Sequence, residues 1–158
     1  MMIGAFTVIV VLLVLIDQIT KYLALLYLKP KGTIPYIQEV FHLTFVENRG
    51  AAFGILQNKT WFFIITTFFI LIGMIYYYFT MPRTQDYKWI RVSFILIIAG
   101  AIGNFIDRIK QGYVIDFFDF RLIDFPVFNV ADCYVVVGTF LLAYLILFVI
   151  KDFPIEKD

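Results

Sequence analysis

Four long apolar stretches, at roughly residues 3–26, 61–80, 90–106 and 131–150, are set off by short polar punctuation. About 20 helical residues cover a hydrocarbon core of roughly 30 Å, so each stretch is long enough to cross a bilayer. Helices are expected there, because lipid offers the backbone no hydrogen-bond partner. Lys29-Pro30-Lys31-Gly32 stops the first stretch and Met81-Pro82 the second. The pattern predicts an α-helical polytopic membrane protein, with four transmembrane helices in a single membrane-embedded domain spanning residues 1–158.

The first connection is different in kind. Residues 30–63 form a 34-residue stretch, long for so small a protein. It contains Thr33-Ile34-Pro35-Tyr36-Ile37 and Val40-Phe41-His42-Leu43-Thr44-Phe45-Val46. The second run is rich in β-branched and aromatic residues, which fits strands. A small sheet lying on the membrane surface is expected, with Tyr113-Val114-Ile115-Asp116-Phe117 as a further strand.

The distinctive polar residues gather at one edge of this arrangement. Asp17 and Lys21 lie toward the end of span one, and Asn48 to Phe53 in the connection after it. Asn104, Asp107 and Arg108 end span three, Asp116 follows, and Asn129 and Asp132 open span four. A chain that crosses at each span puts all of these on the same side. Ionisable groups in a membrane cost about 2.5–3.5 kcal/mol each on insertion scales, so a converging set suggests a site.

Composition supports the membrane reading. The chain has 158 residues, 62% of them hydrophobic, and a mean hydropathy of +0.89. A soluble domain is nearer 45–50% apolar. The 19 Phe and 10 Tyr suit lipid contact and interfacial belts. A net charge of +1 gives no reason to expect nucleic acid. The lone Cys133 excludes an intrachain disulfide and any multi-cysteine metal site. The lone His42 argues against a zinc protease, which wants two histidines at helical spacing. Residues 3–16 are apolar, but no Lys or Arg precedes them and no small-residue cleavage site follows, so they read as a retained first span.

Orientation is weakly signalled. The second connection and the tail carry Arg83, Lys88, Arg91, Lys151 and Lys157. The other side carries seven basic residues over longer segments: Lys29, Lys31, Arg49, Lys59, Arg108, Lys110 and Arg121. Density in short connections favours a cytoplasmic second loop and tail, whereas raw counts do not.

Each polar group has a structural reading beside a functional one. Asp17 and Lys21, four apart, share a helix face and can pair. Asn48-Arg49-Gly50-Ala51-Ala52-Phe53-Gly54 reads as a turn, or as backbone that lets a bound peptide approach closely. Gly100 and Gly103 allow close helix packing. Asn104 and Asp107 share a face, and Asp107 is expected to pair with Arg108 or across helices. Asn129 and Asp132 read as the N-cap and third position of a helix. Asp116, flanked by Val114-Ile115 and Phe117-Phe118, should be desolvated and hold its proton. Asp119 and Asp124 compete with it. A proton-bearing Asp116 opposite an ionised Asp132 is what hydrolysis by two carboxylates needs.

Together these motifs resemble the bacterial lipoprotein signal peptidases (signal peptidase type II). The matching residues are Asp17-Gln18-x-x-Lys21, Asn48-x-Gly50-Ala51-Ala52-Phe53, Gly103-Asn104-x-x-Asp107-Arg108, Val114-Ile115-Asp116-Phe117 and Phe128-Asn129-x-Ala131-Asp132, in family order. The resemblance implies an aspartyl endopeptidase of the bacterial plasma membrane, with a β-cradle and active site on the extracytoplasmic face and cytoplasmic termini. It implies cleavage of diacylglyceryl-modified prolipoproteins just before the lipidated cysteine, and inhibition by the cyclic peptide globomycin. It maps the catalytic dyad onto Asp116 and Asp132. Support or substrate contact maps onto Asp17, Lys21, Asn48, Gly50, Asn104, Asp107, Arg108, Asn129 and Ala131. No metal or organic cofactor is implied. The expected partners are lipid-modified substrates and membrane lipids, and the chain is expected to act as a monomer. Departures are small: Ala99-Gly100 where Gly-Gly is common, Ile115 for Val, and Cys133 for Ser. Cys133 reads as a packing residue, with no histidine nearby in sequence.

Two other classes stand against this one. A proton-coupled transporter or channel subunit would also place carboxylates in the membrane, but here the polar residues do not traverse it. A membrane assembly subunit could use Gly100 and Gly103 for helix contact, and would tolerate loss of both aspartates. An intramembrane aspartyl protease of the Gly-x-Gly-Asp type is disfavoured, because that motif is absent.

Overall fold

The computed structural model describes residues 2–50 and 59–149. Ala51, Ala52, Phe53 and Gly54, and the basic tail residues Lys151 and Lys157, lie outside the described residues. Helix α1 (Met2–Leu23) continues as a π-helical turn over Ala24–Leu28. Strands β1 (Thr33–Ile37) and β2 (Phe41–Asn48) follow. Helix α2 (Thr60–Thr80) leads through a 3₁₀ turn, Gln85–Tyr87, into α3 (Lys88–Gln111). Strand β3 (Val114–Asp119), a 3₁₀ turn at Arg121–Ile123 and α4 (Val130–Tyr144) complete the site-bearing part. A π-helical turn, Leu145–Val149, extends α4. The four helical segments are long and apolar enough to cross a membrane.

Helix α3 is the central element, packed against α1, α2 and α4. Ile90, Phe94, Ile95, Ile98 and Ala99 form its buried apolar face. The other three helices keep most of their apolar side chains on the outside, as lipid-solvated helices do. Contact between α3 and α4 is close because Gly100 leaves room for it. A Cβ there would collide with the Ala131 carbonyl oxygen and the Val135 side chain.

Span three runs farther than the apolar pattern indicates, to Gln111 rather than Ile106. Asn104, Asp107, Arg108 and Gln111 in its last turns have partners within the fold, so polarity there does not end the helix. Gly112 ends it, in the left-handed conformation (φ 80°) with its N–H on the Arg108 carbonyl.

The sheet has strand order β1-β2-β3, antiparallel throughout. Its apolar contacts (Ile115 and Phe117 of β3, with Leu43 and Phe45 of β2) pack on Ala24 and Leu28 at the end of span one. Strand β3 begins one residue later than expected and runs two residues longer, through Asp119. A bulge in β2 between Leu43 and Val46 sets the register that puts Val46 opposite Asp116. The free edge of β3 is then taken up by Phe128. Its carbonyl accepts from Phe118 N–H at 2.8 Å, and its N–H donates to the Phe118 carbonyl at 3.1 Å. That bridge fixes the chain just before α4 alongside β3, and so sets Asn129 beside Asp116.

Candidate active site

Asn129 is the hinge of the site. It is fully buried and caps α4: its Oδ1 accepts from Asp132 N–H at 3.0 Å, while Asp132 Oδ2 accepts from Asn129 N–H at 3.1 Å. This reciprocal cap satisfies two backbone donors at the positive end of the helix. Because a backbone N–H holds Oδ1, the amide nitrogen must point the other way. It donates to Asp116 Oδ1 at 2.6 Å and to Asn104 Oδ1 at 3.1 Å.

Asn104 is oriented by the same logic. Lys21 can only donate, and its Nζ lies 2.8 Å from Asn104 Oδ1. The Asn104 amide nitrogen is therefore turned to Asp132, donating to Oδ1 at 2.8 Å. Asn48 completes the set. Its Oδ1 takes Gly50 N–H at 3.0 Å, and its Nδ2 donates to Asp116 Oδ2 at 2.9 Å. Each oxygen of Asp116 and Asp132 thus accepts one hydrogen bond from a neutral donor. A second lone pair on each oxygen remains for a proton, water or substrate.

Behind this layer lies a buried ionic cluster. Lys21 is 2% exposed and Asp17 is fully buried. Lys21 Nζ reaches Asp17 Oδ2 at 2.9 Å and Asp107 Oδ2 at 3.0 Å, so with Asn104 all three of its protons are placed. Asp17 Oδ1 accepts from Ala131 N–H at 2.9 Å, tying α1 to the start of α4. Asp107 accepts from Gln18 at 3.0 Å and from Ile115 N–H at 3.2 Å, tying α3 to β3. Gly103 makes room, since a Cβ there would lie 2.5 Å from Asp17 Oδ2. The expected Asp17–Lys21 pair is present. Asp107 pairs across helices with Lys21 and not with its neighbour Arg108. A role for Gln18, which bridges Asp107, the Gly103 carbonyl and Asp17, escaped the sequence reading. The available signal was its spacing of three from Lys21, which puts both on one helix face.

A cavity of about 990 Å³ holds the carboxylates. Asn48, Arg108, Asp116 and Asp132 form its polar wall, while Phe125, Phe128, Val136 and Val137 form an apolar one. Val136 and Val137 are more than half exposed on the outer side of α4, so the cavity meets the lipid face. Arg108 donates to the Gly50 carbonyl at 3.5 Å and stacks 4.9 Å from the centre of the Phe63 ring. Burial, and then the charge of Asp132, push the Asp116 carboxyl up to about 7, against the pull of the Asn48 and Asn129 hydrogen bonds.

The competing aspartates are differently placed. Asp119 Oδ2 accepts from Thr44 at 2.5 Å and from Arg121 at 3.1 Å. Asp124 is exposed, in a left-handed turn. Both border the cavity, but among the described contacts no amide of the cluster reaches either.

The signal peptidase (SPase) II family profile matches residues 9–148. The chain belongs to the signal peptidase II family. Its similarity to curated relatives runs over most of both chains. It is 53% identical to the lipoprotein signal peptidase of Caldanaerobacter subterraneus subsp. tengcongensis, covering 89% of this chain and 94% of that protein. It is 49% identical to the Clostridioides difficile lipoprotein signal peptidase, over 89% and 93%. A solved structure described as a bacterial membrane enzyme at 1.9 Å resolution superposes with a TM-score of 0.80 at 37% identity, covering 94% of this chain and 96% of that one. As a member of the signal peptidase II family, the chain is a membrane-embedded aspartic-type peptidase.

Proposed function

We propose that this member of the signal peptidase II family uses Asp116 and Asp132 as its catalytic pair to remove the signal peptide from diacylglyceryl-modified prolipoproteins, cutting before the lipidated cysteine. One observation carries the assignment: two carboxylates from separate elements, each held by amide donors, share one cavity that opens toward lipid. The raised Asp116 carboxyl supports its role as the proton-bearing partner. Asp132 takes a proton from water as the water oxygen attacks the scissile carbonyl carbon. Asp116 gives its proton to the carbonyl oxygen, leaving a neutral tetrahedral diol. Collapse of the diol breaks the C–N bond. The proton on Asp132 passes to the departing amine, and Asp116 recovers one from the diol hydroxyl. The dyad ends as it began.

Arg108 and the Gly50 carbonyl flank the pair and suit peptide backbone, with a donor and an acceptor respectively. The apolar wall of Phe125, Val136 and Val137 suits the acyl chains. Basic residues in the short connection at the opposite end, Arg83, Lys88 and Arg91, favour an extracytoplasmic dyad with cytoplasmic termini. The decisive experiment is cleavage of a diacylglyceryl-modified prolipoprotein by purified protein in detergent, beside the unlipidated precursor and the D116N/D132N variant. Cutting of the lipidated form alone, lost in the variant, is expected. Cutting that survives the double substitution would place the chemistry elsewhere.

A further inference from the structure

At the end of the bundle opposite the dyad, where α2 ends and α3 begins, a second concavity of about 370 Å³ is lined by Arg83, Thr84, Gln85, Lys88 and Arg91. Residues 83–91 carry Arg83, Lys88 and Arg91 against Asp86, a net charge of +2 by sequence. Lys88 and Arg91 are three apart and share a face at the start of α3. This helix has no acidic residue in its first turn, and among the described side chains none caps it. Its positive end therefore adds to the field of the three cations. Arg91 is anchored rather than free to swing away. Its Nη2 donates to the Met81 carbonyl at 3.1 Å and to that of Pro82, in the chain just after α2. Its Nε is buried without a hydrogen-bond partner among the described residues. Thr84 and Gln85 add side chains able to donate to an oxygen.

A polar concavity lined by three cations at the positive end of a helix fits a compact oxyanion. Guanidinium groups and helix N-termini match phosphate in particular. Its position between two span ends lies at headgroup depth. We propose that this pocket binds a phosphate group at the membrane surface, presented by an anionic phospholipid or as free phosphate.

The test uses the full chain purified in detergent. Retention of phosphatidylglycerol and of phosphatidylcholine is measured by native mass spectrometry, and thermal stability is measured with and without inorganic phosphate. Three proteins are compared: wild type, R83Q/K88Q, and K31Q/K110Q, which removes the same charge from exposed lysines at the other end. Wild type should retain phosphatidylglycerol in preference to phosphatidylcholine. R83Q/K88Q should lose roughly twenty-five-fold in retention, at about fivefold per basic side chain near an anionic surface, while keeping peptidase activity. K31Q/K110Q should retain the lipid as wild type does. A phosphate-dependent stabilisation seen in wild type and lost in R83Q/K88Q, without lipid preference, would identify free phosphate as the source. Equal retention of both lipids with no response to phosphate would overturn the proposal. So would equal losses in the two variants, which would mean that only overall charge matters.

Discussion

Asp116 and Asp132 differ from the other aspartates of the chain in what holds them, and that difference predicts how each tolerates substitution. Asp116→Asn or Asp132→Asn preserves shape but removes a group able to exchange a proton, so cleavage should fall to background with membrane abundance unchanged. Asp119→Asn, tied to Thr44 and Arg121 instead, and Asp124→Asn, exposed in its turn, should keep most of the activity in the same assay. The proposed dyad also predicts a pH dependence. Activity needs a proton on the pair, so kcat/KM should fall about tenfold per pH unit once pH rises past the Asp116 value of about 7. Stability follows the same group. Folding raises the Asp116 pKa from 3.8 to about 7, so between these values the folded state holds a proton that the unfolded state has released. Stability therefore declines as pH rises from about 4 to about 7 and is level on either side. Asp116→Asn lacks that loss. Its Tm should exceed that of wild type at pH 8 and converge with it near pH 4, and a constant difference across that range would contradict a raised Asp116. At this scale the sequence was informative wherever a helix sets the spacing: Asp17 with Lys21, and Asn129 with Asp132. It was uninformative about Asp107, because its partner Lys21 lies on another helix and no local rule chooses between that lysine and Arg108.

The elements are joined by polar bonds where helices of a soluble protein would rely on apolar burial, and Lys21 makes two of those joints, from α1 to Asn104 and Asp107 of α3. Lys21→Met would leave Asp17 and Asp107 buried without their cation. A loss of about 3–5 kcal/mol is expected, the usual cost of breaking a buried ion pair from one side. It should be read as a lower Tm in detergent. Lys21→Arg should not restore full activity, because a planar guanidinium cannot reproduce the three contacts of the ammonium. Asn129→Ala should cost about 1 kcal/mol as a lost helix cap. Its effect on cleavage should be far larger than its effect on Tm, since Asp116 loses a donor at the same time. The four helices and the strand segments could be read from hydrophobic runs and β-branched composition, with boundaries displaced by a few residues. The bulge after Leu43 and the Phe118–Phe128 bridge could not, because register depends on contacts between segments far apart in the chain. Yet that bridge is what sets Asn129 against Asp116.

Across the whole molecule, the chain spends its polar residues at two ends and leaves the middle of the bundle to apolar packing around α3. Both ends of the bundle are therefore chemically distinct from the lipid-facing sides, and the cavity with the dyad lies where one end meets lipid. On the proposed assignment, a substrate whose cysteine carries acyl chains would reach such a site sideways, keeping its chains in lipid while the scissile bond enters the polar wall. Val136 and Val137 of α4 stand at that boundary, and neither takes part in the hydrogen-bond network that holds the carboxylates. Substituting Val137 by Trp should narrow the entrance without disturbing the Asn104, Asn129 and Asn48 amides. The expected result is a rise in KM for the diacylglyceryl substrate with kcat nearly unchanged, since the bond, once bound, meets an intact dyad. Steady-state kinetics over a range of lipidated substrate in mixed micelles would measure both. A fall in kcat at constant KM would mean that Val137 bears on the dyad itself. No change in either would mean that the acyl chains enter along another side of the cavity, past Phe125 and the residues that follow β3.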